Sequence, residues 1–314
     1  MQIAWFFPGQ GAQAVGMAKD VLDASPAARR VFEEADSALG EKLSTLILEG
    51  PEDRLTLTAN AQPAILTASQ AILAALKERL PSLARPAFAA GHSLGEYSAL
   101  VASGALGPAD AIRLLRARGK AMQDAVAPGV GAMAAIIGLD PSLLAGICEQ
   151  ASQGEVVSPA NYNAPGQVVI AGHAAAVERA VALVSAAGGK AIPLKVSAPF
   201  HCALMAPAAA ALKGELAKVV MGPMAFPVVA NVDARPNADP ARIAELLFRQ
   251  VDGPVRWEDS VRFMHAAGVT RALEIGPGKV LSGLTRRIAK ELTVLSISDA
   301  AGLDKVEAFL NGEQ

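Results

Sequence analysis

Short apolar runs alternate along this chain with longer Ala- and Leu-rich stretches of helical spacing, and the alternation predicts a parallel sheet covered by helices. The first run, Ile3 to Phe7, reads as a buried strand that stops at the turn Pro8-Gly9-Gln10-Gly11. Ser25-Pro26 is an N-cap and first-position signal for a helix through Leu39, and Gly40 is its stop. Residues 54–79 predict one or more helices, interrupted or opened at Pro63. Pro86 to Ala90 then predicts a strand, Glu96 to Ala102 a helix, and Gly107-Pro108 opens a further helix from about Ala109 to Ala125. Phe226 to Ala230 and Arg271 to Ile275 read as later strands of the same sheet.

Between about 126 and 199 the texture changes. A β-like run (Ala132 to Ile137) is followed by a helix (Pro141 to Gln150), two β-like runs (Val156-Val157 and Val168 to Ile170), a helix (Ala174 to Ala187) and a strand (Ala191 to Val196). That order, β-α-β-β-α-β, is the order of a ferredoxin-like unit. The expected organisation is therefore a large α/β-hydrolase-like domain with a parallel sheet, residues 1–125 and 200–314, carrying a ferredoxin-like small domain, residues 126–199, as an insertion.

Composition narrows the function classes. With 314 residues, 52% hydrophobic and 18% charged, the chain can bury a sizeable core. A formal net charge of -2 argues against a broad nucleic-acid-binding surface. The apolar N-terminal run lacks a basic segment and ends at Pro8, too short for a signal peptide or a membrane span, so a cytosolic protein is expected. Two cysteines, Cys148 and Cys202, make neither a disulfide framework nor a metal site.

The chemistry concentrates around Gly91-His92-Ser93-Leu94-Gly95. A G-x-S-x-G run between a strand and a helix predicts a sharp turn that lifts the serine hydroxyl above the sheet, with the helix N-terminus aimed at it. Ser93 is the candidate nucleophile. Of the four histidines, His201 lies where the chain leaves the small domain, a cleft position suited to the base; His92, His173 and His265 read as packing or surface residues. Cys202 follows His201 directly and, on an extended segment, would point away from it. In the helix after Gly107, Arg118 falls on the apolar stripe with Ala111, Leu114, Leu115 and Met122, so its guanidinium calls for a protein carboxylate or an anionic ligand. Two further glycine-rich matches are weak. Gly9 to Ala14 fits a dinucleotide fingerprint without the acidic second strand, and Gly276-Pro277-Gly278-Lys279-Val280 lacks the Ser or Thr of a phosphate loop.

Six segments together resemble the malonyl-CoA:acyl carrier protein transacylase family, in order and spacing across nearly the whole chain. They are Phe7 to Gln13, Gly91 to Tyr97, Arg118 to Gln123, Asn163 to Gln167, His201 to Met205 and Gly276 to Leu281. The resemblance implies Ser93 as the acyl-accepting nucleophile, His201 as its base and Arg118 as the fork that holds the malonyl carboxylate. It implies that Gln10 and Leu94 supply the oxyanion-hole N–H groups and that the main-chain carbonyl of Gln250 orients the histidine. Phe200 departs from the serine frequent in bacterial fatty-acid members and matches a residue frequent in malonyl-selective polyketide domains, which makes it a candidate for specificity.

The implied reaction is ping-pong transfer of malonyl from malonyl-CoA through a Ser93 ester to the phosphopantetheine thiol of acyl carrier protein. It serves fatty acid biosynthesis and uses no metal or other cofactor. The implied partners are malonyl-CoA and acyl carrier protein, with no nucleic acid and no membrane, for a monomer. Lys190, Lys195, Arg286 and Arg287 are candidate docking residues for the acidic carrier. The alternatives are a discrete acyltransferase of a polyketide pathway, a serine esterase or thioesterase using Asp110, Asp124 or Asp140 as the acid, and a non-catalytic module that binds CoA or carrier protein.

Overall fold

In the computed structural model, which describes residues 2–313, ten strands fall into two sheets. They are β1 (Gln2–Phe7), β2 (Phe88–Gly91), β3 (Gly131–Ile137), β4 (Val157–Ala164), β5 (Gln167–His173), β6 (Lys190–Pro193), β7 (Val228–Val229), β8 (Pro236–Asn237), β9 (Val269–Ile275) and β10 (Thr293–Ile297). The larger sheet has the order β10-β9-β1-β2-β7-β8, with every neighbouring pair parallel except β7 and β8. β1 is central because Ile3 to Phe7 are buried without a break, as a strand covered on both faces must be. Phe6 packs edge-on against Trp257 at 5.3 Å, and Trp5 against Phe226 at 5.5 Å. Neighbours along β1 thus anchor two different clusters, Trp5 and Phe7 in one and Ala4 and Phe6 in the other.

The strands between 131 and 193 form the second sheet, fully antiparallel, in the order β4-β5-β3-β6. Helices Pro141–Ser152 and Ala174–Ala186 follow β3 and β5, so both the chain order and the sheet order are ferredoxin-like. This small sheet is tied to the large unit through β4: Tyr162 N–H donates to Val255 O and Val255 N–H to Ala160 O, each at 2.9 Å.

Several boundaries differ from the expected ones, each for a tertiary reason. Residues 58–79 form one helix with Pro63 inside it, since the stretch from Ala61 to Leu73 is buried throughout and packing outweighs the lost hydrogen bond. β4 extends to Ala164, well past Val156-Val157, because it stays paired with β5 as far as Ala164 opposite Gln167, while its polar residues Asn161 and Asn163 line a pocket beside Pro8, Gly9 and His92. β6 ends at Pro193, and Leu194 to Val196 leave the sheet to line the cleft instead. In the Phe226 to Ala230 run only Val228 and Val229 pair as strand.

Candidate active site

Parallel pairing of Phe7 with Gly91 ends β1 and β2 at the same sheet edge, which sets the turn after Phe7 beside the serine elbow. His92 N–H donates to Phe7 O at 3.0 Å and joins the two. The elbow tolerates no side chain at its glycines: a Cβ on Gly91 would lie 1.9 Å from Gly95 O, and one on Gly95 would lie 2.2 Å from Phe7 O. Ser93 itself has φ 53°, a left-handed conformation that costs a non-glycine residue about 1–3 kcal/mol. Asn231, just beyond β7, braces that turn from both sides. Its Oδ1 accepts from Ser93 N–H at 2.7 Å and its Nδ2 donates to Gly91 O at 2.7 Å.

The Ser93 hydroxyl lies 2.7 Å from His201 Nε2. His201 Nδ1 faces two carbonyl oxygens, Gln250 O at 2.9 Å and Gly253 O at 3.2 Å. Because both oxygens can only accept, the ring proton of neutral His201 belongs on Nδ1, and Nε2 is left to accept the serine proton. Burial, and then the nearby Arg118 charge, push the His201 pKa down to about 3, so the imidazole is a neutral acceptor at physiological pH. His201 also has a positive φ of 60°, so the premise of an extended His201-Cys202 segment does not hold. The cysteine is nonetheless apart from the site: its Sγ donates to Pro199 O at 3.1 Å, and burial pushes its pKa up to about 11.

Arg118 is 1% exposed, and among the described residues no carboxylate lies within salt-bridge distance of it. Nη1 donates to Gln62 Oε1 at 2.7 Å, while Nη2 donates to Ser93 Oγ at 3.0 Å and Gln250 Oε1 at 2.9 Å. Of the two partners its sequence position called for, the protein carboxylate is absent from its immediate neighbours. The backbone N–H groups of Gln10 and Leu94 donate to no protein acceptor among the described residues, which leaves both free for a ligand oxygen.

Ser93, His201, Arg118, Gln62 and Gln10 line a cleft of about 310 Å³ that also includes His92, Lys195 and Phe200. His92 faces away from the serine, its Nε2 2.9 Å from Asn163 Oδ1, and burial lowers its pKa. The Gly276-Pro277-Gly278-Lys279 turn is no phosphate loop, since Glu274 already accepts from Leu281 and Ser282 N–H at the helix N-terminus, each at 2.9 Å. Sequence reasoning missed Asn231, Gln62, Glu96 and the side chain of Gln250. The available signals were a lone carboxylate in the apolar turn after the elbow, a glutamine in an Ala-rich helix, and an asparagine at a strand end.

The chain matches the acyl transferase domain model over residues 4–305. It is 50% identical over 303 residues to the malonyl CoA-acyl carrier protein transacylase of Salmonella typhimurium, covering 96% of this chain and 97% of that one. The Bacillus subtilis enzyme of the same name is 49% identical over 300 residues, 95% and 94% of the two chains. Among solved structures, an acyl carrier protein S-malonyltransferase from Vibrio cholerae superposes with a TM-score of 0.95 at 49% identity, over 98% of this chain and all of that one. A malonyl-transacylase in complex with its type II PKS acyl-carrier protein superposes at 0.94 with 47% identity, over 97% and 98% of the two chains. Likeness at this level over nearly the whole chain establishes that it belongs to the acyl transferase family, among the malonyl CoA-acyl carrier protein transacylases.

Proposed function

We propose that this protein moves the malonyl group from malonyl-CoA to the phosphopantetheine thiol of an acyl carrier protein through a Ser93 ester, in fatty acid synthesis. The observation that carries the reading is the single Ser93 Oγ shared between a neutral His201 and the guanidinium of Arg118. Ser93 attacks the thioester carbonyl as His201 Nε2 takes its proton, and the Gln10 and Leu94 N–H groups receive the developing oxyanion. Arg118 turns from Ser93 Oγ to the free carboxylate of the acyl group, a bidentate anion its fork fits. The proton held on His201 goes to the departing CoA sulfur. In the second half the carrier thiol attacks the ester, His201 now accepting the thiol proton and returning it to Ser93.

Backbone carbonyls, not a carboxylate, support the His201 ring, and the low basicity that burial and the Arg118 charge impose on it is adequate because a thiolate leaves more readily than an alkoxide or amide. Intact mass after malonyl-CoA alone should show one malonyl added on Ser93, and addition of carrier protein should then remove it. A chain that binds the thioester yet never gains mass would be a binding module instead.

Phe200 borders the cleft beside His201, and we place it against the acyl α-carbon. Malonyl-CoA should therefore be preferred over methylmalonyl-CoA by about 1–3 kcal/mol, the value of one methyl in a pocket. Phe200→Ser should narrow that preference, read as the ratio of the two acylated masses in a competition; an unchanged ratio would assign Phe200 to packing alone.

For the acidic carrier, Lys195 at the cleft and Lys190 and Arg286 outside it are the steering charges we favour. Arg287 is partly committed, since its Nη2 donates to Pro165 O at 3.1 Å and its Nη1 to Gln167. Charge reversal at Arg286 should raise the KM for carrier protein in a salt-dependent way and leave acylation by malonyl-CoA unchanged. A KM unaffected by reversal or by salt would move the docking surface elsewhere.

A further inference from the structure

Glu96 is a buried carboxyl at the heart of the site that the transfer chemistry leaves without a role. It is 3% exposed and sits in the first turn of the helix Gly95–Ser103. Its Oε2 accepts from Asn231 N–H at 3.0 Å and from Gln250 Nε2 at 2.7 Å. Gln250 Nε2 also donates to Ser93 O at 2.9 Å, while its Oε1 accepts from Arg118 Nη2 at 2.9 Å. The orientation of this amide is forced: a flip would set its oxygen against two acceptors and its NH₂ against a guanidinium that can only donate. Carboxylate, amide dipole and guanidinium therefore stand in one aligned chain, negative end to positive end.

We propose that Glu96, acting through the Gln250 amide, is the counter-charge of Arg118 in the unacylated protein and competes with the substrate carboxylate for it. The charge on Glu96 then sets how tightly the malonyl group is held. The inference rests on the reading of Arg118 as the malonyl partner. A buried guanidinium cannot shed its proton and is costly to leave without an anion, and Glu96 supplies that anion through the intervening amide. When the acyl carboxylate docks, two anions share one cation, and the more weakly coupled of them, Glu96, takes up a proton from solvent to become a neutral carboxyl.

The groups that face Glu96 are consistent with such a proton uptake. Burial pushes its pKa up to about 7, opposed by hydrogen bonds from Asn231 and Gln250 and by the Arg118 charge from the helix Pro108–Asp124; Asp233, in the turn after β7, adds to the rise. Tyr97, on the same helix, is held protonated by burial, and His201 is neutral. A carboxyl poised in this way is partly ionised near neutral pH, and a second anion nearby drives it toward the protonated form. Glu96 is thus a positioning residue, acting on the acyl group only through Gln250 and Arg118.

Glu96→Gln tests this in the full chain, because its amide oxygen can still accept from Asn231 and Gln250 while the charge is gone. KM and kcat for malonyl-CoA should be measured from about pH 6 to pH 9. In the unsubstituted protein KM should rise roughly 3- to 10-fold as Glu96 ionises, with a smaller change in kcat; the variant should keep a low, pH-independent KM. Matching KM profiles in the two proteins, or a fall in kcat with a lowered Tm and no change in KM, would make Glu96 a structural brace and overturn the proposal. A second measurement needs no variant. Malonylation of the unsubstituted protein in weak buffer near neutral pH should take up protons beyond those accounted for by the released CoA thiol, and zero excess uptake would also overturn it. A protein that forms no malonyl ester at all would sink the transferase reading together with this one, whereas normal ester formation with flat proton uptake would sink this one alone.

Discussion

Ser93→Ala is expected to remove covalent malonylation entirely and to lower transfer to carrier protein by at least roughly 10⁴-fold, the scale on which loss of a nucleophile acts. The substitution deletes one oxygen that accepts from Arg118 and meets His201 Nε2. It leaves the Cβ in place, so the φ of 53° and its strain are unchanged, and Asn231 still accepts from the residue 93 N–H. The fold should persist, with Tm within a few degrees of the parent, roughly the shift of a ΔΔG near 1 kcal/mol. Intact mass with malonyl-CoA and a melting curve check both halves. A malonyl adduct mapped to another residue of the variant would remove Ser93 from the nucleophile role, and neither His92 nor Cys202 is placed to inherit it, being held by Asn163 and Pro199.

Arg118→Ala should cost malonyl transfer about 2–5 kcal/mol, the penalty for leaving one member of a buried, hydrogen-bonded charge pair unpaired. That is roughly 30- to 5,000-fold in kcat/KM, and the loss should be far smaller for acetyl-CoA, which has no carboxylate for the fork to grip. Equal losses for both acyl groups would make the arginine a scaffold for Ser93 and Gln250 only. The same substitution should move the acid limb of the reaction. His201 must be unprotonated to accept from Ser93, and its pKa of about 3 keeps it so across the window from there to the ordinary value near 6.5. The parent should therefore acylate at an undiminished rate well below pH 6.5 for as long as it stays folded. Because the Arg118 charge is one of the two main causes of the lowering, its removal should shift the acid limb upward, as read by single-turnover acylation with acetyl-CoA over pH. An acid limb that stays where it is would assign the lowering to burial alone.

The elements legible in the sequence were those whose signal is local. The serine elbow announced itself through glycines that the backbone geometry requires, and the strand at Ile3–Phe7 through an unbroken apolar run that only a doubly covered position needs. The β-α-β-β-α-β order between 131 and 193 was readable for the same reason, although the ends of β4 and β6 were not, since both are set by pairing with β5 and β3 and the polar Asn161 and Asn163 carry no apolar strand signal. Arg118 was legible as a contradiction, a permanent charge on an apolar stripe. Its partners Gln62 and Gln250 were not, because their side chains are neutral and carry no periodic signature until the helices are packed.

The sequence alone therefore carried the fold class, a candidate nucleophile and base, and the anomaly of a permanent charge on an apolar stripe at Arg118. These follow from local conformational rules, apolar periodicity and motifs held in a fixed order. Which atoms meet depends on the packing of the folded chain. It placed the ring proton of His201 on Nδ1 by facing it with two carbonyls, and it put Ser93 Oγ between an imidazole and a guanidinium. It also drew Glu96 together with Asn231 and Gln250, 135 and 154 positions away, into one buried network. Contacts of that kind arise between residues 25 to 154 positions apart, where no spacing rule operates, and their strength comes from a burial that exists only once the sheets and helices have closed around them.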